Sequence, residues 1–224
     1  MQFWSNVSQN AGDVLIVIIA TLMAICVAMP FHEFAHAYAA KREGDYTAVA
    51  QRRYTLAPHA HFDWQGFLFL FFFRFGWAKP VPVDSRNFKR GRLSQLHVAI
   101  AGILTNILLG ALFLFVYMLI VKIAPGFYSS GFYGKLLYQF LTTSVSLNFM
   151  LAFFNLLPSY PLDGYRVVDS FCRFENGFLK FMKNYSFVIY LILIITGVYY
   201  YYYTYTAGLL IEGLIKLFSL VLGL

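Results

Sequence analysis

Residues 14–42 read VLIVIIATLMAICVAMPFHEFAHAYAAKR. Residues 14–31 form an unbroken run of apolar and small side chains. His32-Glu33-Phe34-Ala35-His36 follows, then four more apolar or aromatic residues, and Lys41-Arg42 ends the stretch. A membrane-spanning helix needs about 20 predominantly apolar residues, and this run supplies them. In a helix the pattern H-E-x-x-H places two imidazoles one turn apart on one face, with a carboxylate beside them. That is the arrangement for holding Zn²⁺ next to a base. Ionisable groups inside a span are costly, so their presence points to function. Counting back from Lys41 at 1.5 Å per residue, His36 lies roughly 7 Å and His32 roughly 13 Å inside the helix end.

The rest of the composition agrees with a membrane setting. The chain has 224 residues, of which 60% are hydrophobic, 20% aromatic and only 12% charged. A soluble domain carries about 25% charged residues. The expectation is an integral membrane protein with one membrane-embedded domain over residues 1–224. No basic residue precedes the first apolar run and no small-residue cleavage site follows it, which argues against a removable signal peptide. The net charge is +7, and ten of the 17 Lys and Arg residues fall between residues 41 and 92, with four more between 166 and 183. By the positive-inside rule these segments face the cytoplasm and the N-terminus faces out. The motif then lies toward the cytoplasmic side. The basic residues are interleaved with Phe, Trp and Pro and flank apolar spans, so nucleic acid is not an expected partner. Cys26 sits in the first span and Cys172 in a cytoplasmic segment, so neither a disulfide nor a thiolate metal site is indicated.

The pattern along the chain predicts an all-α polytopic membrane protein. It has about five transmembrane helices plus a re-entrant or β-hairpin-like segment around residues 46–90. Further spans are expected at 93–121, 135–157 and 185–203, the last finishing in a tyrosine cluster that reads as an interfacial belt. Residues 209–224 form the fifth candidate, either spanning with its polar residues Glu212, Lys216, Ser219 and Gly223 inward or lying along the membrane surface. Residues 51–55 have weak strand character. Residues 66–75 are apolar but too short to span. Residues 79–83, Lys79-Pro80-Val81-Pro82-Val83, carry two prolines that forbid helix and favour extended backbone.

Two histidines are too few for a catalytic zinc, which keeps three protein ligands and an open position. Asp163 is a candidate third ligand. It follows Asn155-Leu156-Leu157-Pro158-Ser159-Tyr160-Pro161-Leu162, where the prolines halt the preceding helix and Gly164 frees the backbone. On local signal alone an ordinary Asp-Gly turn reads equally well. His59-Ala60-His61-Phe62-Asp63 is a rival pattern, but Trp64 stands where a metal-binding version of it would carry another His.

Taken together, H-E-F-A-H in the first span, G-W-A-K-P-V-P-V, A-G-x-x-x-N and N-L-L-P-x-x-P-L-D-G resemble the site-2 protease family of intramembrane zinc metalloproteases. The four motifs occur in that family's order and cover residues 14–175. His61-x-Asp63-x-x-Gly66 matches a further family segment. The chain departs at Ile103, where the family usually has Pro, and at Tyr165, where it often has Gly. The resemblance implies one Zn²⁺ per chain held by His32, His36 and Asp163, with Glu33 as general base. It also implies that Asn106 helps hold the substrate or its developing oxyanion. The larger members' PDZ and CBS domains have no counterpart here, so the resemblance is to a minimal, bacterial-type member of the cell membrane.

The expected reaction is peptide-bond hydrolysis in or near transmembrane segments of membrane-protein substrates, for regulated proteolysis or signal-peptide clearance. The expected partners are such a substrate and the lipid bilayer; oligomeric state is not determined by the sequence. A substrate must present an unfolded backbone, and the extended segment 79–83 offers an edge for β-augmentation. Lys79, Pro80, Val81 and His61 are therefore candidate substrate contacts. The alternative is a metal or ion transporter that uses the same His and carboxylate groups. An inactive relative would lack a ligand, and all three candidates are present.

Overall fold

A computed structural model of the chain describes residues 11–73, 79–129, 131–172 and 176–224. Gly76, Trp77 and Ala78 of the G-W-A-K-P-V-P-V motif lie outside the described residues. The helices are α1 (Ala11–Arg42), α2 (Trp64–Phe73), α3 (Arg92–Ile123), α4 (Gly131–Asn155), α5 (Asp163–Phe171), α6 (Gly177–Asn184), α7 (Ser186–Ile195) and α8 (Val198–Leu222), with single helical turns between some of them. Among the described residues there is no strand. Four helices, α1, α3, α4 and α8, are long and apolar enough to cross a membrane.

The first three pack through small residues. On α1 the residues Ala20, Ala24, Ala28, His32, His36 and Ala40 recur every fourth position and are all buried. Such a stripe lets backbones approach closely, which favours helix association where lipid competes with apolar side chains. The two histidines continue the stripe, so they face protein rather than lipid. On α3, Ser94, Val98, Gly102, Asn106, Gly110, Leu114 and Met118 form the matching buried face. Ala24, Ile25 and Ala28 of α1 pack on Leu147 and Leu151 of α4. Leu114 and Met118 of α3 pack on Val145 and Phe149 of α4 and on Ala207 and Leu222 of α8.

Pairings between the helices establish their directions. His36 meets Val98 while His32 meets Asn106, so α1 and α3 are antiparallel. Asn106 meets Asn148 while Tyr117 meets Tyr138, so α3 and α4 are antiparallel as well. The hydroxyls of Tyr199, Tyr202 and Tyr203, at the start of α8, donate to the carbonyls of Met150, Phe153 and Ser146 near the end of α4. The four long helices therefore alternate in direction.

Two sequence expectations change here. The spans expected at 185–203 and 209–224 are replaced by a ten-residue helix, α7, and one 25-residue helix, α8. The break falls at Gly197, whose φ of +70° suits glycine, and not near Gly208, which sits inside α8 with open space around its Cα. The tyrosine cluster thus begins a helix instead of ending one. Glu212 and Lys216 face outward, and Ala207, Leu210, Ile211, Leu214, Phe218 and Leu222 face the bundle.

Among the described residues of the region 46–90 there is no hairpin pairing. Asp45, almost fully buried, accepts hydrogen bonds from the backbone N–H and hydroxyl of Thr47, the backbone N–H of Asp84 and the amide of Asn87. Burial alone would push its carboxyl up, but these four donors outweigh it and hold it below its ordinary value. Residues 51–55 are turn and coil, with Arg52 at φ +56°. Asp63 caps α2 by accepting from the N–H of Gly66 at 2.8 Å. At ten residues α2 is only about 15 Å long, half the thickness of a bilayer's hydrocarbon core.

Candidate metal centre

His32 and His36 lie one turn apart on α1, and Pro30 just before them lacks the N–H that would bond Cys26. Asp163 begins α5. The chain reaches it through residues 156–162, which the two prolines keep out of helix. A Cβ at Gly164 would collide with the carbonyl oxygens of Leu156 and Leu157, so only glycine lets α5 start this close to the end of α4. Gln95 of α3 donates to Asp169 at 2.7 Å and ties α5 alongside.

The three side chains converge. His32 Nε2 lies 3.3 Å and His36 Nε2 lies 3.1 Å from Asp163 Oδ2, and the two Nε2 atoms are 3.1 Å apart. All three residues are buried. Among the described residues these form the group of His, Cys, Asp or Glu side chains able to hold a metal ion. The outer faces of the imidazoles decide what the inner faces offer. His36 Nδ1 is 2.8 Å from the carbonyl oxygen of Val98, which only accepts, so Nδ1 carries the proton. His32 Nδ1 is 2.5 Å from Asn106 Oδ1, again an acceptor. Both Nε2 atoms therefore present lone pairs to a carboxylate oxygen that has no donor among the described residues. Three converging acceptors repel unless a cation lies between them. Tetrahedral Zn²⁺ with bonds of about 2.0–2.1 Å separates its ligand atoms by about 3.3 Å, which the observed triangle matches. The donor set fits zinc.

Gly102 closes the site from α3. A Cβ there would lie 2.5 Å from His36 Nε2 and 2.6 Å from His32 Cε1. Glu33 is buried next to His32, and its Oε2 accepts from the backbone N–H of Val81 at 2.7 Å. Residues 79–83 thus run over the site as a strap. Val81 packs on Ala37 and Ala48, and Arg53 holds the carbonyls of Lys79 and Pro80 from outside. The edge expected to pair with a substrate has few donors left. Pro80 and Pro82 carry none, Lys79 N–H bonds His61 O, and Val81 N–H bonds Glu33.

Asn106 is fully buried, and both ends of its carboxamide are engaged behind His32: Oδ1 by His32, and Nδ2 by Asn148 at 2.9 Å. An oxyanion-binding role would fall to the second N–H of Nδ2, which faces the Ala28 carbonyl 3.5 Å away. His61 is buried, donates Nε2–H to Thr55 O at 2.7 Å, and leaves Nδ1 without a partner. It lines an apolar groove with Ile25, Cys26, Met29, Pro30 and Pro58. His59 is exposed, and neither it nor His61 joins the metal group. Sequence reasoning missed Asn148 altogether and gave Gly102 no role. An Asn isolated in an apolar span was the available signal for the first.

No family model matches the chain, and no solved structure matches it. A protein of Bacillus subtilis (strain 168), provisionally named zinc metalloprotease YwhC, is 36% identical over 203 residues, which cover 89% of this chain and 91% of that protein. Zinc metalloprotease MJ0392 of Methanocaldococcus jannaschii is 27% identical over 157 residues, 70% of this chain and 35% of that longer protein. The similarity to the Bacillus protein runs nearly end to end in both, and the metal group and apolar spans agree with it: the chain belongs to this family of zinc metalloproteases.

Proposed function

We propose that the protein is an intramembrane endopeptidase of the site-2 protease type, cleaving peptide bonds in or near transmembrane segments of membrane-protein substrates. The observation that carries this reading is the buried His32–His36–Asp163 triangle, two of whose members project from a span-length apolar helix. In this reading residues 1–224 act as one membrane-embedded domain of a bacterial cell membrane, with α2 re-entrant. The N-terminus lies outside and the site lies toward the cytoplasm, following the bias of basic residues.

His32, His36 and Asp163 would hold one zinc ion, which would polarise a scissile carbonyl and acidify a water. Glu33 takes the proton from that water and returns it to the leaving amine. Val81 N–H binds Oε2 of Glu33, which orients the carboxylate and leaves Oε1 for the proton. Val98 and Asn106 accept from Nδ1–H of His36 and His32 and so leave Nε2 of each ring toward the metal position. The groove beside α1 runs past Met29 and Pro30 toward His32, and His61 in its wall is a substrate contact in this reading. Lys79 and Pro80 are the exposed start of the strap and contact the substrate on its way in.

Purified protein assayed for bound zinc and for cleavage of a single-span substrate tests the reading. Glu33→Gln is expected to retain zinc and lose cleavage by at least ~100-fold, the lower range for removing a general base. Asp163→Asn is expected to lose both. Metal flux into vesicles without any peptide product, abolished by Glu33→Gln, would establish the transporter reading instead.

A further inference from the structure

We infer that Asn148 is a positioning residue of the metal centre, and that it fixes the tautomer of His32 through Asn106. Three hydrogen bonds run in one direction from α1 across α3 to α4. His32 Nδ1 lies 2.5 Å from Asn106 Oδ1, Asn106 Nδ2 lies 2.9 Å from Asn148 Oδ1, and Asn148 Nδ2 lies 2.8 Å from the backbone carbonyl of Ser144. Asn106 and Asn148 are both fully buried, so water cannot exchange for any partner.

The direction of the chain is set at its far end. A backbone carbonyl only accepts, so Asn148 must turn its NH₂ toward Ser144 and its oxygen toward Asn106. Asn106 must then give its NH₂ to Asn148 and its oxygen to His32. His32 must carry its proton on Nδ1, which leaves the Nε2 lone pair facing His36 and Asp163. A carboxamide alone would not choose, because its two ends are nearly the same shape and one flip would offer His32 a donor; the Ala28 carbonyl, 3.5 Å from Nδ2, is a far weaker guide than Asn148 at 2.9 Å. His32 would then accept at Nδ1 and carry its proton on Nε2, the tautomer that cannot ligate. His36 needs no such device, since Val98 O faces its Nδ1 directly. A metal-binding histidine whose outer partner is disturbed loses about 10–100-fold in metal affinity.

The inference rests on zinc binding at His32, not on proteolysis, and the test reads both parts separately. The full-length protein is purified in detergent, stripped of metal, and labelled with ¹⁵N-histidine. His32 is assigned by comparison with His32→Gln. The tautomer is read from the imidazole ¹⁵N shifts of the metal-free protein, and zinc affinity from competition with a chromophoric chelator. Asn148→Leu is expected to move His32 from the Nδ1–H form toward Nε2–H and to weaken zinc about 10–100-fold. Asn148→Asp, whose neutral carboxylic acid donates to Ser144 and accepts from Asn106, is expected to keep the Nδ1–H form and zinc affinity within about threefold. In an Asn106→Asp background the carboxylate ionises beside the zinc-bound His32, so both oxygens accept, and adding Asn148→Leu is expected to cost less than about threefold further. A role in packing alone would cost the same in both backgrounds. If Asn148→Leu does not fold, Asn148→Ala replaces it with the same expectations. An unchanged tautomer in either apolar variant, or equal zinc loss in Asn148→Asp and the apolar variant, overturns the inference. A wild-type chain that takes up no zinc overturns the metal reading beneath it.

Discussion

Gly102 lacks a side chain where two imidazoles already occupy the room. Its missing Cβ would sit 2.5 Å from one ligand nitrogen and 2.6 Å from the neighbouring ring. Neither ring can retreat, because Val98 O and Asn106 hold their outer nitrogens. Gly102→Ala should therefore push both ligands off the triangle with Asp163. The expected outcome is at least tenfold weaker zinc binding, with about 1–3 kcal/mol lost to overpacking, read by metal titration and thermal melting of the same sample. Gly208→Ala, in open space on a helix, is the matched control and should leave both unchanged or slightly improve the helix. At this scale the sequence was partly legible. His32, Glu33 and His36 are contiguous on one helix, so spacing alone assembles them. Asp163 could be read only from a family motif, because nothing local separates a ligand from an Asp-Gly turn. Asn148 carries no spacing signal, since its partners lie on another helix and on its own backbone.

Elements act on the site through the strap and through the junction of α1 with α3. In the strap Val81 is the only residue between two prolines, and its N–H is the one that reaches Glu33. Val81→Pro removes that donor while keeping an apolar residue in backbone that is not helical. Cleavage is expected to fall about tenfold, the value of one hydrogen bond to a charged group at roughly 1.5 kcal/mol, with zinc content unchanged. Val81→Ala, which keeps the N–H, is expected to retain most activity. Equal loss in both would assign the effect to packing on Ala37 and Ala48. At the junction, Glu43 accepts from Arg90, from Ser94 Oγ at 2.6 Å and from His97 Nδ1 at 2.8 Å. The hydrogen bond from Arg90, then those from His97 and Ser94, hold its carboxyl at about 2, against an ordinary value of 4.5. A depressed carboxyl stabilises the fold fully above its unfolded value. That contribution is lost as pH falls from 4.5 through about 2. Melting temperature should accordingly decline across that interval in wild type, and the decline should flatten in Glu43→Gln. That the strap is not helical was legible from its prolines, whereas its contact with Glu33 was not, because Asp45 and Arg53 set its place from outside the motif.

For the whole molecule the change is from about five expected spans to four helices, among the described residues, that are long and apolar enough to cross a membrane. The expected break at residues 204–208 was a run of Thr, Tyr, Ala and Gly that a helix tolerates, while the real break needed a positive φ and took Gly197. An even number of alternating spans returns the chain to the side from which it started. The end of α8 lies beside Lys122, at the end of α3: a Cβ added to Gly223 would sit 3.6 Å from the Lys122 Nζ. If the basic segments 41–92 and 166–183 face the cytoplasm, as proposed, both ends of the bundle face out. Five spans would put residue 224 inside. Alkaline phosphatase fused after residue 224 is expected to be active and a fluorescent protein fused there to be dark. The same reporters inserted within α6 should give the reverse pattern. A fluorescent fusion after residue 224, with the α6 insertion also fluorescent, would mean that α8 does not cross. The tyrosines that tie α8 to α4 would then anchor an interfacial helix, and the bundle would hold three spans with its C-terminus in the cytoplasm.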